Sequence, residues 1–336
     1  MTSPAQSWDF LKDGAGILPA SNMADPLRGS NLKPTDLLVR EAVQNSLDER
    51  RRDSDSPVLI RFERRVLTGS DKERFVDALD LRVLADRRQA FRTAHNWFGR
   101  GNVALDDIDK FDVELPVLVV SDSNANGLGG HWNRRRSKGD RFFNLVLSIG
   151  GSLKWEDEEE EDTDAGRTLG SYGYGKMAFA LSSDIRTVVY YSTFDPNADT
   201  GNVRSRAMAT AFLPQHSVGD IDYAGQAYYG NDSGEERNPR KPLVDGEAHE
   251  WIRTLGLQER SVEDTGTTVM IPASTATMKE IVESCETWWW PTMVRRRHGR
   301  RVEFEFVDDG DLIPGSNPRF RKELSPFIDC YKLIES

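Results

Sequence analysis

Apolar residues at Leu38, Ala42 and Leu47 share one stripe of the segment 35–48, with Pro34 and Thr35 ahead of it and no Gly or Pro inside. That spacing predicts a helix. Pro57 then opens a β-rich run, 58–66, read as a strand. Helical spacing returns over 71–98 (Phe75, Leu79, Leu84, Phe91, Trp97) and stops at Gly99. The four consecutive apolar residues Val117, Leu118, Val119 and Val120 predict a strand buried in the middle of a sheet. A helix at 173–182, strands at 185–194, 204–213 and 267–271, a helix at 276–290 and an alternating strand at 302–306 follow. Between them the pattern lapses. Residues 1–30 show no period and read as an arm. The stretch 121–170 reads as a long connection with a basic cluster (Arg134, Arg135, Arg136, Lys138) and an acidic run, 156–164, and 216–264 reads as a Gly/Asp/Asn/Pro-rich insertion holding one helix near 248–255. No internal repeat is visible.

Composition narrows the class. With 336 residues and 38% apolar content, the chain can bury a large core and is neither disordered nor fibrous. No apolar run approaches the roughly 20 residues of a membrane span. The start lacks a basic region followed by an apolar stretch, so no signal peptide and no membrane attachment are expected, and the cytoplasm is the expected location. Cys285 and Cys330 are too few for a disulfide framework or a cysteine-based zinc site. Acidic residues outnumber basic ones by 55 to 44, a net charge of −11, which argues against coating nucleic acid non-specifically and leaves room for a local basic patch.

Three stretches carry candidate chemistry. Glu41, Asn45 and Asp48 stand at i, i+4 and i+7 and so lie on one face of the first helix. Asn45 can offer its amide oxygen to Mg²⁺, and Glu41 can polarise a water as general base. An ordinary wet helix face explains the same pattern. Asp122 ends the apolar strand and is followed by Ser123, Asn124, Ala125, Asn126 and Gly127, a turn that permits positive φ and close approach of a ligand to the backbone. A carboxylate there can accept a hydrogen bond from an exocyclic amine such as that of adenine. Gly170, Gly173, Gly175 and Lys176 lead into a helix, where backbone N–H groups and the lysine can face an anion. This string fits the P-loop spacing, but Met177 follows where a P-loop has Ser or Thr, and no apolar strand precedes it. Gly266 and Thr267 at the start of the late strand form a weaker motif.

The order of these features resembles the GHKL ATPase superfamily, which comprises DNA gyrase B, the Hsp-type chaperones, MutL, the sensor histidine kinases and the MORC proteins. The resemblance covers about 31–275. It implies a Bergerat-type ATP-binding fold: an α/β two-layer sandwich, a mixed sheet with helices on one face. It implies Glu41 as base, Asn45 on Mg²⁺, Asp122 on adenine, Gly170, Gly173 and Gly175 on the phosphates, and the late Gly-Thr at Gly266 and Thr267. Asp48, Gly127 and Lys176 complete the expected nucleotide contacts. The family reads D-x-G-x-G after its strand, whereas here Asn124 replaces the first glycine and one residue is added; Asn accepts the left-handed conformation better than most.

The five histidines form no phosphoacceptor motif, and some 30 residues before Thr35 leave no room for a phosphoacceptor hairpin, so the chain sits nearer the gyrase, MutL, chaperone and MORC branches. These imply slow, Mg²⁺-dependent ATP hydrolysis coupled to nucleotide-dependent homodimerisation and to a larger partner or DNA. DNA repair or bacterial antiviral defence fits that likeness. A nucleotide-gated binding module with little turnover is the alternative. Within the ATPase-like part, 129–169 is the expected lid, mobile for want of apolar anchors. Residues 276–336 are a C-terminal extension, read as the start of a transducer-like region. Arg295, Arg296, Arg297, Arg300 and Arg301 are the candidate nucleic-acid contacts; a basic surface turn accounts for them equally.

Overall fold

The structure, a computed structural model, describes residues 6–14, 17, 19–20, 32–91, 105–134, 139–148, 177–234, 240–294, 302–314 and 317–335. In chain order the elements are β1 (Ser7–Lys12), α1 (Pro34–Asp48), β2 (Val58–Leu67), α2 (Gly69–Ala78), α3 (Leu81–Arg87), β3 (Leu115–Ser123), α4 (Met177–Leu181), β4 (Thr187–Thr193) and β5 (Ser205–Phe212). They continue with β6 (His216–Val218), β7 (Ile221–Asp232), β8 (Arg240–Lys241), β9 (Leu243–Val244), α5 (Asp245–Thr254), β10 (Gly266–Pro272), α6 (Met278–Val294), β11 (Val302–Asp308), β12 (Asp311–Ile313) and α7 (Ser325–Glu335). None of the described helices is long and apolar enough to cross a membrane.

One mixed sheet organises the chain, in the order β1-β7-β5-β4-β10-β3-β2-β11-β12. Its pairings are antiparallel except for β2 with β11, which run parallel from Val58 opposite Val302 to Arg64 opposite Asp308. β3 lies between β10 and β2, so its apolar run is central, as expected.

Helices cover both faces of the sheet, not one. Val117 and Val119 of β3 pack into a core with Phe75 and Val76 of α2, Leu81 and Leu84 of α3, and Trp251 and Ile252 of α5. Leu118 and Val120, pointing the other way, pack with Leu38, Val39, Ala42 and Val43 of α1, Phe179 of α4, and Ile281 and Cys285 of α6. The expected two-layer sandwich is therefore corrected to three layers. The reason is in the strands themselves: side chains alternate across a sheet, so a run that is apolar at every position needs a dry partner on each side. All seven residues of β4 and all eight of β5 are buried in the same way.

Other expectations change as well. The segment read as an arm contains β1, whose Trp8 and Phe10 are buried against β7. The segment read as an insertion contains β7, a twelve-residue strand paired with β1, β5 and β6. Its glycines disguise it: a Cβ at Gly225 would overlap the carbonyl oxygen of Leu213 on the neighbouring chain segment. The single helix read over 71–98 is two, α2 and α3, broken at Asp80 in the left-handed conformation (φ 49°), with a 3₁₀ turn at Arg88–Phe91. Positions 92–98 lie outside the described residues.

Candidate functional site

α1 presents its apolar stripe to the core. Leu38, Val39, Ala42 and Val43 are buried, Glu41 and Asn45 are half-buried, and Asp48 is exposed. Burial pushes the Glu41 carboxyl above its ordinary value; Arg40 opposes the shift and Asp48 adds to it. Gln44 donates a hydrogen bond to Asp48 across one helical turn (2.7 Å). The nitrogen of the Asn45 carboxamide is buried and has no hydrogen-bond partner among the described residues. Such an orphan is costly unless a ligand completes it. Carboxamide oxygen and nitrogen are told apart only by their partners, so the same position can carry an oxygen.

Asp122 is the best-built feature of this region. Thr267 donates its backbone N–H to Oδ1 (2.7 Å), one residue beyond the paired positions Thr268 and Ser121 of β10 and β3. The Ser46 hydroxyl, on the buried side of α1, lies 2.8 Å from Oδ2 and 3.0 Å from the Ala42 carbonyl. Its single proton serves one acceptor, and an ionised carboxylate is the stronger. Burial pushes the Asp122 carboxyl above its ordinary value, while Arg260, the Thr267 N–H and the Ser46 hydroxyl all pull it back. Each carboxylate oxygen has a second lone pair, which these partners do not use.

Gly266 makes this junction possible. It sits at φ 154°, and a Cβ there would overlap the Asp122 carbonyl oxygen and come within 2.6 Å of Oδ1 and 2.9 Å of an Arg260 nitrogen. The motif Gly-Thr thus has a local explanation: glycine admits the aspartate, and the next N–H holds it.

The turn after β3 closes against β4. Asn124 adopts φ 62°, the left-handed conformation expected of it, and its side chain donates to the Pro57 carbonyl (3.0 Å). Gly127 (φ 68°) lies so close to β4 that a Cβ would overlap the Thr193 carbonyl. The Ser192 hydroxyl ties three segments together: it accepts from the Leu128 N–H (2.8 Å), donates to the Gly266 carbonyl (2.7 Å) and lies 3.4 Å from the Thr267 hydroxyl. Asn126 donates its N–H to the Glu49 carbonyl at the end of α1 (2.8 Å), and the Glu49 side chain is ion-paired with Arg141.

Of the residues expected to act, the structure joins Asp122 directly to Thr267, and Gly127 to the same corner through Ser192. Glu41 and Asn45 stand on the helix that also supplies Ser46 to Asp122. Gly170, Gly173, Gly175 and Lys176 lie outside the described residues, as do Arg295, Arg296, Arg297, Arg300 and Arg301. The expected lid is described over 129–134 and 139–148, and this part does not lack apolar anchors. Phe142 and Val146 are fully buried in the core that holds α1.

Ser46, Ser192 and Arg260 were not expected. Their partners are 76, 74 and 138 positions away in the chain, so no local pattern announces them. His131, Asp140 and Asp199 form the one cluster of metal-ligand type among the described residues, with His131 Nε2 3.3 Å from Asp199 and the His131 N–H donated to the buried Asp140 (2.7 Å). Their ligand-type atoms all lie within 4.8 Å of one another. No known family model matches the chain, and no curated protein does either.

Proposed function

We propose that the chain binds and hydrolyses ATP with Mg²⁺ at the end of β3, in the manner of the GHKL ATPases. The observation that carries this reading is the position of Asp122. It is clamped between the Ser46 hydroxyl of the helix bearing Glu41 and Asn45 and the Thr267 N–H of the Gly-Thr strand, with acceptor capacity left on both oxygens. A buried carboxylate in that condition suits the exocyclic amine of adenine, which donates and does not accept. Gly127 and Gly266 allow the turn and the two strands to close tightly around this corner, where a Cβ would overlap the Thr193 and Asp122 carbonyl oxygens.

Glu41 has the features of a general base: it is half-buried, on the same helix face as Asn45, and its carboxyl is raised toward the range where a base works at neutral pH. It would take the proton of the attacking water. Asn45 fits a Mg²⁺ ligand, because its unpartnered carboxamide position, when it carries the oxygen, offers a hard donor to a hard cation. Mg²⁺, when bound, neutralises charge that develops on the phosphates. The phosphate loop is assigned to Gly170, Gly173, Gly175 and Lys176 on sequence alone, and nucleotide-dependent dimerisation and action on DNA or a partner protein rest on the family likeness.

The test is calorimetric titration of the full chain with ATP and with a non-hydrolysable analogue, each with and without Mg²⁺, alongside a turnover assay. Binding that needs Mg²⁺, with slow release of inorganic phosphate, is expected. Absence of nucleotide binding would remove the assignment.

A further inference from the structure

Arg260 belongs to no helix or strand, yet it is one of the most heavily engaged side chains in the molecule. Its guanidinium donates to the Asp122 carbonyl, to the Thr267 carbonyl (3.2 Å) and to the Thr268 hydroxyl (3.2 Å), so it bridges β3 and β10 just where they part. Its own loop holds it through Asp264, by an ion pair (3.2 Å) and a bond to that residue's carbonyl (3.3 Å). Its backbone N–H is donated to the Tyr191 hydroxyl (2.9 Å), which also meets His249 Nδ1 (2.9 Å). The side chain is 6% exposed. Gly266 gives it room, since a Cβ there would come within 2.9 Å of its nitrogen. Three contacts of its fixed fork orient two strand ends and two more tie it to its own loop, a task that the point charge of a lysine performs poorly.

We propose that Arg260 is the positioning residue for Asp122: it fixes the strand end that aims the carboxylate and supplies the positive charge that keeps it an ionised acceptor. The proposal rests on the nucleotide reading above for the identity of the donor, an exocyclic amine of a base, but its physical core stands apart from it. The groups that face Asp122 are the Ser46 hydroxyl from α1, the Thr267 N–H from β10, and Arg260 and Asp264 from the intervening loop. Arg260 is the only cation among them. Without it, two neutral donors would be left to hold a buried carboxylate that Asp264 already repels.

Two readouts on the full chain separate this role from scaffolding. Carbon-13 NMR of the Asp122 carboxyl follows its titration directly, without nucleotide, in wild type, Arg260→Met and Arg260→Lys. The Met variant should titrate about one unit higher, the usual effect of one adjacent charge, and the Lys variant close to wild type. ATP affinity measured against pH should show the same displacement of its acid limb in Arg260→Met. Arg260→Lys should keep the limb in place and lose affinity several-fold, because the charge remains and the fork does not. An unmoved Asp122 titration in Arg260→Met, or a loss of affinity equal at every pH, overturns the proposal. Should the Met variant fail to fold, an Arg260→Lys protein with wild-type affinity overturns it as well. If wild type binds no ATP, the nucleotide reading fails while the NMR titration still decides the role of Arg260.

Discussion

The central strand β3 carries a buried charge at each end, and the two are built differently. Before its start, the Lys72 ammonium reaches from α2 to the carbonyls of Lys110 (2.6 Å), Val113 (2.8 Å) and Asp107 (3.2 Å). Three donors meet three acceptors, so the ammonium itself keeps no donor to spare, although a cavity of about 230 Å³ lined by Lys72, Asp107, Leu115 and Asp184 opens beside it. At its finish, Asp122 meets two donors and keeps a second lone pair on each carboxylate oxygen. The first closes a loop. The second keeps acceptor capacity, which is the property the proposed nucleotide reading uses.

The comparison can be broken most sharply through Glu41. Glu41→Ala should leave ATP binding intact and lower turnover by roughly 10²–10⁴-fold, the usual worth of a general base. Wild-type turnover should also fall as pH drops through a value above the 4.5 of an ordinary glutamate, since the working form is the carboxylate and burial has raised its pKa. A pH–rate profile with no acid limb in that region contradicts the assignment of the base.

Lys72→Met tests the other end. Three carbonyls lose their donor, so stability should fall by about 1–3 kcal/mol, with ATP affinity per folded molecule unchanged. Thermal denaturation with and without nucleotide reads both quantities. An equal loss of affinity would mean that the two ends are not separable.

Gly266→Ala should cost about 1–3 kcal/mol for the backbone conformation and at the same time weaken nucleotide binding, because its Cβ displaces Asp122 or Arg260. Thermal denaturation together with an ATP titration measures the pair of effects. Loss of stability alone would make the glycine structural only.

A smaller effect concerns stability against pH. The folded pKa of Asp122 lies above its unfolded value, so the native state takes up a proton between the two. Its contribution to stability is greatest below the ordinary carboxylate value and is lost as pH rises through the raised one. Asp122→Asn should flatten that part of the stability–pH curve, read as melting temperature across the acid range.

Much of this frame was legible in the chain. The spacing of α1 and the apolar run of β3 are local patterns, and the structure returns them as a helix at Pro34–Asp48 and a strand at Leu115–Ser123. The same run also held the clue to the third layer, because four consecutive apolar residues need cover on both faces. β1 and β7 were hidden for a different reason. β1 is six residues long, and β7 mixes Gly225, Gly230 and Asp232 into its pattern, so their strand character comes from pairing with each other and with β5. In the site, the chemistry-bearing residues Glu41, Asn45 and Asp122 stood out by type and spacing. Ser46, Ser192 and Arg260 did not, since a serine in a helix or an arginine in a polar loop means nothing until the fold delivers its distant partner.

The central claim is that Asp122 reads a nucleobase, and the most direct measurement is the affinity of wild type and Asp122→Asn for ATP and GTP with Mg²⁺, by calorimetry at neutral pH. The account predicts that wild type prefers ATP. It predicts that the variant loses ATP affinity by about 10–100-fold, the worth of a hydrogen bond to a charged group, and that the preference over GTP collapses with it. Equal affinity of the two proteins for ATP, or a wild type that does not distinguish the two nucleotides, would contradict it.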